Sequence, residues 1–314
     1  MQPDLRVVLF AIVVAYVFIT AFNFLVVGLY HRIRGTRPTH SRSYLITSRI
    51  GLAIAFVGFV CVLYGYFIEP RWVEVTHVEI RSPKIAKETG RVRIVQISDL
   101  HSAAKPLLEP RLPGLIAAEK PDLIVYTGDS LQRGAGFPVF RKLITDLSKI
   151  APVYATAGNW DVATEVIGRL YQDTSVVYLE GRNVKQDVRG TPIWIAGIAQ
   201  WHDDQVWPSM RGIPRSDFGI FLFHYPDGIL EIANEHENID LYLAGHTHGG
   251  QIALPFYGAL TTNSIYDKRF EAGLYKVKNT WLYVNRGIGM TYGAPRVRFL
   301  ARPEITVIDL VPQS

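Results

Sequence analysis

Two stretches of the chain are apolar from end to end, and most of the remainder alternates. From Val7 to Tyr30, VVLFAIVVAYVFITAFNFLVVGLY carries no charge, and neither does IGLAIAFVGFVCVLYGYFI from Ile50 to Ile68. As helices rising 1.5 Å per residue, both are long enough to cross a hydrocarbon core of about 30 Å. A core helix of comparable length in a water-soluble domain would show a polar face, and neither run has one. The first run is too long for the apolar region of a signal peptide, and no small-residue cleavage site follows it. The pattern predicts a transmembrane hairpin over residues 1–70, with helices at about 7–30 and 50–68.

The segment between the runs, HRIRGTRPTHSRS, carries Arg32, Arg34, Arg37 and Arg42 and no acid. A short basic loop of this kind stays on the cytoplasmic side, so the residues after Ile68 are expected outside the cytoplasm. The lipid bilayer is therefore a predicted partner, and the predicted location is a cell membrane crossed twice.

Beyond the hairpin, residues 71–314 have the size of one domain with a substantial core. WVEVTHVEI alternates like a strand with one wet face, and SPKIAKETG after it has turn chemistry. Apolar strands then end repeatedly in polar residues. RVRIVQI runs into Ser98-Asp99-Leu100-His101, DLIVYT into Gly128-Asp129, and PVYATA into Gly158-Asn159-Trp160-Asp161. RLPGLIAAEK and FPVFRKLITDLSK between them have helical spacing. Later, GIFLF ends at His224 and IDLYLA at Gly245-His246-Thr247-His248, while TWLYVNRGIGM and EITVIDLV read as further strands. In an α/β sheet the carboxyl edge of the strands is where loops converge on a crevice and ligands bind.

Composition adds limits rather than leads. The 314 residues are 48% hydrophobic, with a mean hydropathy of +0.12, and the surplus lies in the two apolar runs. The net charge of +5 belongs largely to the hairpin loop, so there is no case for nucleic-acid binding. The single cysteine, Cys61, lies in the second apolar run, which excludes an intrachain disulfide and a thiolate zinc site.

Collected in order, the strand-end residues are Asp99, His101, Asp129, Asn159, His224, His246 and His248. Two carboxylates, one amide oxygen and four imidazoles exceed what one ion needs, but two ions sharing a carboxylate would use them all. Imidazole with carboxylate suits first-row transition metals more than magnesium or calcium. The motif order D-x-H, G-D, G-N, a lone His, then G-H-x-H resembles that of the calcineurin-like metallophosphoesterases. The likeness runs from about Arg91 to Leu310 and includes GGQ, the GLY at 273–275 and RPEITVI, which look like the membrane-anchored bacterial branch.

That resemblance implies an α/β fold, a four-layer α/β/β/α sandwich of two mixed sheets. It implies one metal held by Asp99, His101 and His248, a second held by Asn159, His224 and His246, and Asp129 as the bridge. Asp129, Asn159 and His224 are also the catalytic candidates. A hydroxide between two divalent ions, manganese, iron or zinc with manganese preferred, would be the nucleophile on a phosphoester or pyrophosphate.

The chain departs from the family at Trp160, where most members carry a histidine able to protonate the leaving group. Indole cannot act as a general acid. Either catalysis is lost, or His202 or Asp203 substitutes, or the leaving group needs no proton. The last is expected of a pyrophosphate, because a departing phosphate is already a stable anion. Lipid A-pathway hydrolases that split UDP-2,3-diacylglucosamine lack the same histidine in one branch, so that lipid-linked compound is the leading expected substrate. The rival expectations are an extracytoplasmic phosphoesterase acting on phospholipid or other envelope phosphoesters, and a non-catalytic metal-binding membrane module. His202, Arg286 and Arg296 are weaker candidates for contact with substrate phosphate.

Overall fold

The computed structural model describes residues 4–36, 40–163, 167–199, 203–291 and 296–313. The chain divides into two units, Met1–Ile68 and Glu69–Ser314.

The first unit is a pair of helices. α1 (Leu5–Arg34) starts at Asp4, whose carboxylate accepts the Arg6 N–H, and ends at Gly35 in the left-handed region, φ 64°. His31, Arg32 and Arg34 fill its last turn, where positive charge meets the carbonyl end of the helix dipole. α2 (Arg42–Leu63) is followed by a π-helical turn at Tyr64–Ile68. It begins well before the apolar run at Ile50. Ser41 caps it by accepting the Tyr44 N–H, and the Thr47 and Ser48 hydroxyls donate to carbonyls of the same helix, so its polar first turns stay helical. Among its described residues only Ala21, Ser48, Ala55 and Gly65 are buried. Small residues at the contact let two helix backbones approach closely, and a Cβ at Gly58 would lie 3.5 Å from the Phe18 ring. Both helices are long and apolar enough to cross a membrane.

The second unit contains two six-stranded mixed sheets. The first takes β1 (Glu74–Ser82), β2 (Val92–Ile97), β3 (Leu123–Thr127), β4 (Val153–Thr156), β5 (Val177–Tyr178) and β14 (Glu304–Pro312), ordered β1-β14-β2-β3-β4-β5. The second takes β6 (Arg182–Val188), β7 (Thr191–Gly197), β8 (Phe218–Leu222), β9 (Leu241–Ala244), β12 (Gly273–Val277) and β13 (Thr280–Val284), ordered β12-β13-β9-β8-β7-β6. β10 (Ala253–Leu254) and β11 (Gly258–Ala259) form a short hairpin between β9 and β12 in sequence. β2, β3 and β4 are parallel, with Ile94 opposite Leu123 and Ile124 opposite Val153. β8, β9 and β13 are parallel in the other sheet, with Leu241 opposite both Ile220 and Trp281.

Period-2 alternation sorts each strand's side chains into two cores. Val95, Ile97, Ile124 and Tyr126 face α3 (Leu112–Ala118) and α4 (Phe137–Ser148), meeting Ile116, Phe140 and Leu147. Ile94, Leu123 and Val125 face the other way and pack on Ile220, Leu222, Leu241 and Leu243 between the sheets. Phe221, Tyr242 and Leu282 cover the outer face of the second sheet against Met210, Ile229 and Ile232 of α7 (Asp203–Met210) and α8 (Ile229–Glu235). The result is helix, sheet, sheet, helix. The short helices α5 (Asn159–Ala163) and α6 (Ile167–Leu170) follow β4.

Both sheets present the carboxyl ends of their central parallel strands to one place. Gln96 joins them there, its amide donating to the Ala244 carbonyl and the Thr127 hydroxyl. The loop after β13 closes the edge, with Ile288 N–H donating to Ser98 O and Gly289 N–H to Asp99 O.

Candidate metal centre

Each predicted ligand sits one to a few residues past a strand end. Five of the seven have left-handed backbone: Asp99, His101, Asp129, His246 and His248 lie at φ between 41° and 71°. Such conformations cost free energy in side-chain-bearing residues and persist where surrounding contacts over-determine them. Here the loops after β2 and β3 are laced together, Asp99 N–H donating to Gly128 O and His101 N–H to Asp129 O. The motif glycines have a steric reason. A Cβ at Gly158 would lie 2.1 Å from Asp129 Oδ1, and one at Gly245 would lie 2.2 Å from Asp99 Oδ2.

All seven side chains come together. His248 Nε2 is 3.2 Å from His101 Nε2 and 3.2 Å from Asp99 Oδ1. On the other side, His246 Nδ1 is 3.1 Å from Asn159 Oδ1 and 3.2 Å from His224 Nε2. Asp129 stands between the two groups. Its Oδ2 is 3.4 Å from both His101 Nε2 and His224 Nε2, while its Oδ1 accepts the Trp160 N–H. Asp99, His101, Asp129, His224 and His248 are all buried.

Hydrogen bonds settle which imidazole nitrogens point inward. His224 Nδ1 lies 2.7 Å from Thr127 O and His246 Nε2 lies 3.3 Å from Asn263 O, and a nitrogen facing a carbonyl carries the proton. His224 Nε2 and His246 Nδ1 are thereby the nitrogens that face the centre, an orientation typical of metal-bound histidine.

Burial pushes the Asp99 carboxyl up, but His248, His224 and His101 together hold it well below the usual carboxylate range. Asp129 is lowered in the same way, against burial, by His224 and His101. Burial pulls His101 and His246 down to about 4, so both are neutral near pH 7. Burial also opposes charge on His224, yet Asp129 and Asp99 outweigh it and raise this imidazole to about 10.

This donor set fits divalent ions. With metal–ligand bonds of about 2.0–2.1 Å, neighbouring donors of one ion lie about 3.0–3.4 Å apart, the spacing found on each side of Asp129. Asp99, His101 and His248 form one group whose donor atoms all lie within 4.8 Å of one another, and Asp99, Asp129 and His224 form another. The Asn159 amide oxygen and His246 Nδ1 extend the second group.

The calcineurin-like phosphoesterase family profile matches residues 92–250. The chain belongs to that family. It is 37% identical over 265 residues to the "Uncharacterized metallophosphoesterase YkuE" of Bacillus subtilis, covering 79% of this chain and 89% of the relative. "Phosphodiesterase YaeI" of Escherichia coli is 31% identical over 260 residues, covering 79% and 92%. "UDP-2,3-diacylglucosamine pyrophosphatase LpxG" of Chlamydia trachomatis is 27% identical over 307 residues, covering 78% and 92%. As a member of the family the chain is a metal-dependent phosphoester hydrolase, and its buried Asp and His groups suit a dinuclear metal site.

The weaker candidates separate. Arg286 is tied to Glu74 and Glu304, with Nη2 2.8 Å and Nε 3.2 Å from their carboxylates, the ordinary salt-bridge role. Arg296 is exposed and lines a shallow depression with His101 and Lys105. His202 lies outside the described residues. Trp160 sets its indole edge-on to the His101 ring, centroids 5.9 Å apart.

Two residues given no role in the sequence support the site. The Asp161 carboxylate accepts N–H groups from Asp129, Ser130 and Gly158, pinning the loops after β3 and β4 together. Burial and the Asp129 charge raise its carboxyl to about 6. An acid in the first turn of α5, where backbone N–H groups lack partners, is the one sequence signal that points to it. Arg298 is fully buried, donating to the carbonyls of Gly289, Ala301 and Arg286, with Nη2 3.3 Å from His248 Nδ1. Its setting in PRVRF gives no signal, because a charge among apolar neighbours reads as a surface position.

Two outcomes follow from this geometry. Asp161→Asn places an amide N–H against backbone donors and loosens Asp129, so metal affinity should fall about 10–100-fold, the usual cost of losing an outer partner. Calorimetric titration with manganese reads this directly, and unchanged affinity would remove Asp161 from the site. His224 carries a proton up to about pH 10 that must leave when its Nε2 takes a metal. Affinity should therefore rise between pH 7 and 9, with proton release visible as buffer-dependent binding heat; affinity independent of pH over that range would contradict it.

Proposed function

We propose that the chain is a membrane-anchored phosphohydrolase that holds two divalent ions and cleaves a phosphodiester or pyrophosphate whose leaving group departs without a proton. The observation that carries this reading is the position of Asp129 Oδ2, equidistant from imidazoles of both ligand groups. Asp99, His101 and His248 would hold one ion, Asn159, His224 and His246 the other, and Asp129 both. Ions so placed would lower the pKa of a water toward neutrality and neutralise charge on the phosphoryl group. Manganese is the ion we favour, on the mixed carboxylate and imidazole donors.

The protein's own contribution is to aim donors and to leave out an acid. The Thr127 and Asn263 carbonyls fix two imidazole tautomers, and the Trp160 N–H holds Asp129 Oδ1. The indole of Trp160 offers no transferable proton beside His101. Tyr225, next to His246, is pushed up to about 12 by burial and by Asp129, which makes it a weak proton donor near neutrality. A leaving group that is already a stable anion suits this site. The pyrophosphate named for the Chlamydia relative has that property, and UDP-2,3-diacylglucosamine is the substrate we favour. Residues 1–70 would anchor the domain of 71–314 where lipid-linked substrates lie.

A second reading is favoured by the basic loop between the helices, which argues for a domain outside the cytoplasm. Nucleotide-linked sugars are cytoplasmic, so in that orientation the substrate would be a phospholipid or another envelope phosphoester.

The test is release of UMP from UDP-2,3-diacylglucosamine by the full chain in detergent with manganese. Asp129→Asn should reduce turnover by more than about 100-fold, beyond the effect of losing an outer partner. Trp160→His should raise turnover of simple alkyl phosphodiesters, within the 10²–10⁴-fold range of general acid catalysis. UMP release undiminished by Asp129→Asn would sink the two-ion reading, and alkyl ester turnover unaffected by Trp160→His would sink the leaving-group argument.

A further inference from the structure

A cleft of about 600 Å³ opens beside Asn159, on the flank of the site away from His101. Its volume is in the range of pockets that enclose most of a small ligand. Val162 of α5, Ala199 after β7 and Phe223 after β8 give it apolar walls, and Ile265, 79% exposed, stands at it. Tyr225 joins it to the site, its ring centroid 4.4 Å from that of His246.

The charges around the cleft decide what it can hold. Among the described residues it is lined by two carboxylates, Asp227 and Glu231, and by no lysine, arginine or histidine. Asp227 is occupied in holding the neighbouring loop, accepting from the Ser264 hydroxyl and the Ile265 N–H. Among the described lining residues a phosphate placed here would meet acids and no cation. Cations stand instead at the depression that contains His101, which Lys105 and Arg296 line together with one carboxylate, Glu109, that accepts the Leu107 and Leu108 N–H groups. A hydrocarbon chain lying along Val162, Ala199 and Phe223 would remove its own surface and that of Ile265 from water.

We propose that this cleft is the subsite for a hydrocarbon chain of a lipid substrate, seated on the Asn159 side of the metal centre while the anionic part of the substrate lies toward Lys105 and Arg296. The assignment rests on the phosphohydrolase reading and adds the orientation of the substrate across the site.

The experiment uses the full chain in detergent, loaded with manganese, and a series of p-nitrophenyl alkyl phosphates from methyl to hexyl. The leaving group is constant, so kcat/KM reports the alkyl subsite. It should rise about three- to fourfold per methylene, the fold-change of ~0.8 kcal/mol per buried CH₂. Ala163→Trp, which puts an indole into the cleft, should flatten the series, whereas partition into detergent would leave the slope unaltered. Val162→Phe serves if the first variant does not fold. Affinities of the matching alkylphosphonates, measured by calorimetry, should follow the same slope and need no turnover.

Turnover and phosphonate affinity that are both independent of chain length would overturn the subsite while leaving the phosphohydrolase intact. A preference for p-nitrophenylphosphorylcholine over the hexyl ester would also overturn it, by assigning the two carboxylates a cationic headgroup. No turnover of any ester, alongside phosphonate affinity that climbs with chain length, would support the subsite and strike instead at the catalytic reading.

Discussion

The structure turns on the crowding of two buried carboxylates and four imidazoles around Asp129. Inward-facing nitrogens 3.2 Å apart, as in His101 with His248 and His224 with His246, have lone pairs that repel unless a proton or a metal lies between them. Asp99 and Asp129, buried side by side, repel each other as anions. Divalent ions bound there would resolve both conflicts at once. The neighbouring carboxylates raise the pKa of His224 while burial lowers those of His101 and His246, so the charge in the cluster falls on one imidazole.

Holding such a cluster requires a frame that does not relax. The central parallel strands of two sheets supply it, since each contributes its candidate ligands from a loop directly after a largely buried strand. The backbone accepts left-handed conformations at five of the candidate ligands, and Gly158 and Gly245 let one strand end approach the carboxylate of another. Asp161 and Arg298 complete the frame from behind. One gathers N–H groups from two loops, and the other gathers carbonyls from the loop after β13.

Much of this was legible in the sequence because strand alternation and strand-end chemistry are local. Apolar runs ending in Ser98-Asp99-Leu100-His101 or Gly128-Asp129 announce both the element and its cargo within a few residues. The start of α2 at Arg42 was not legible, because its polar first turns read as loop and depend on the Ser41 cap. Asp161 and Arg298 were hidden for a different reason. Their partners come from residues distant in sequence, such as Asp129 for Asp161 and His248 for Arg298, and no spacing rule reaches that far. The cleft beside Asn159 is likewise a product of packing, assembled from the ends of β4, β7 and β8 and the loop near Ile265.

The central claim is that Asp129 is shared by two ions. The most direct measurement is the metal content and magnetic resonance spectrum of the full chain loaded with manganese and freed of excess metal. Two ions per chain with the spectrum of a coupled pair are expected. A single ion per chain with the spectrum of an isolated centre, at saturating metal, would contradict the account.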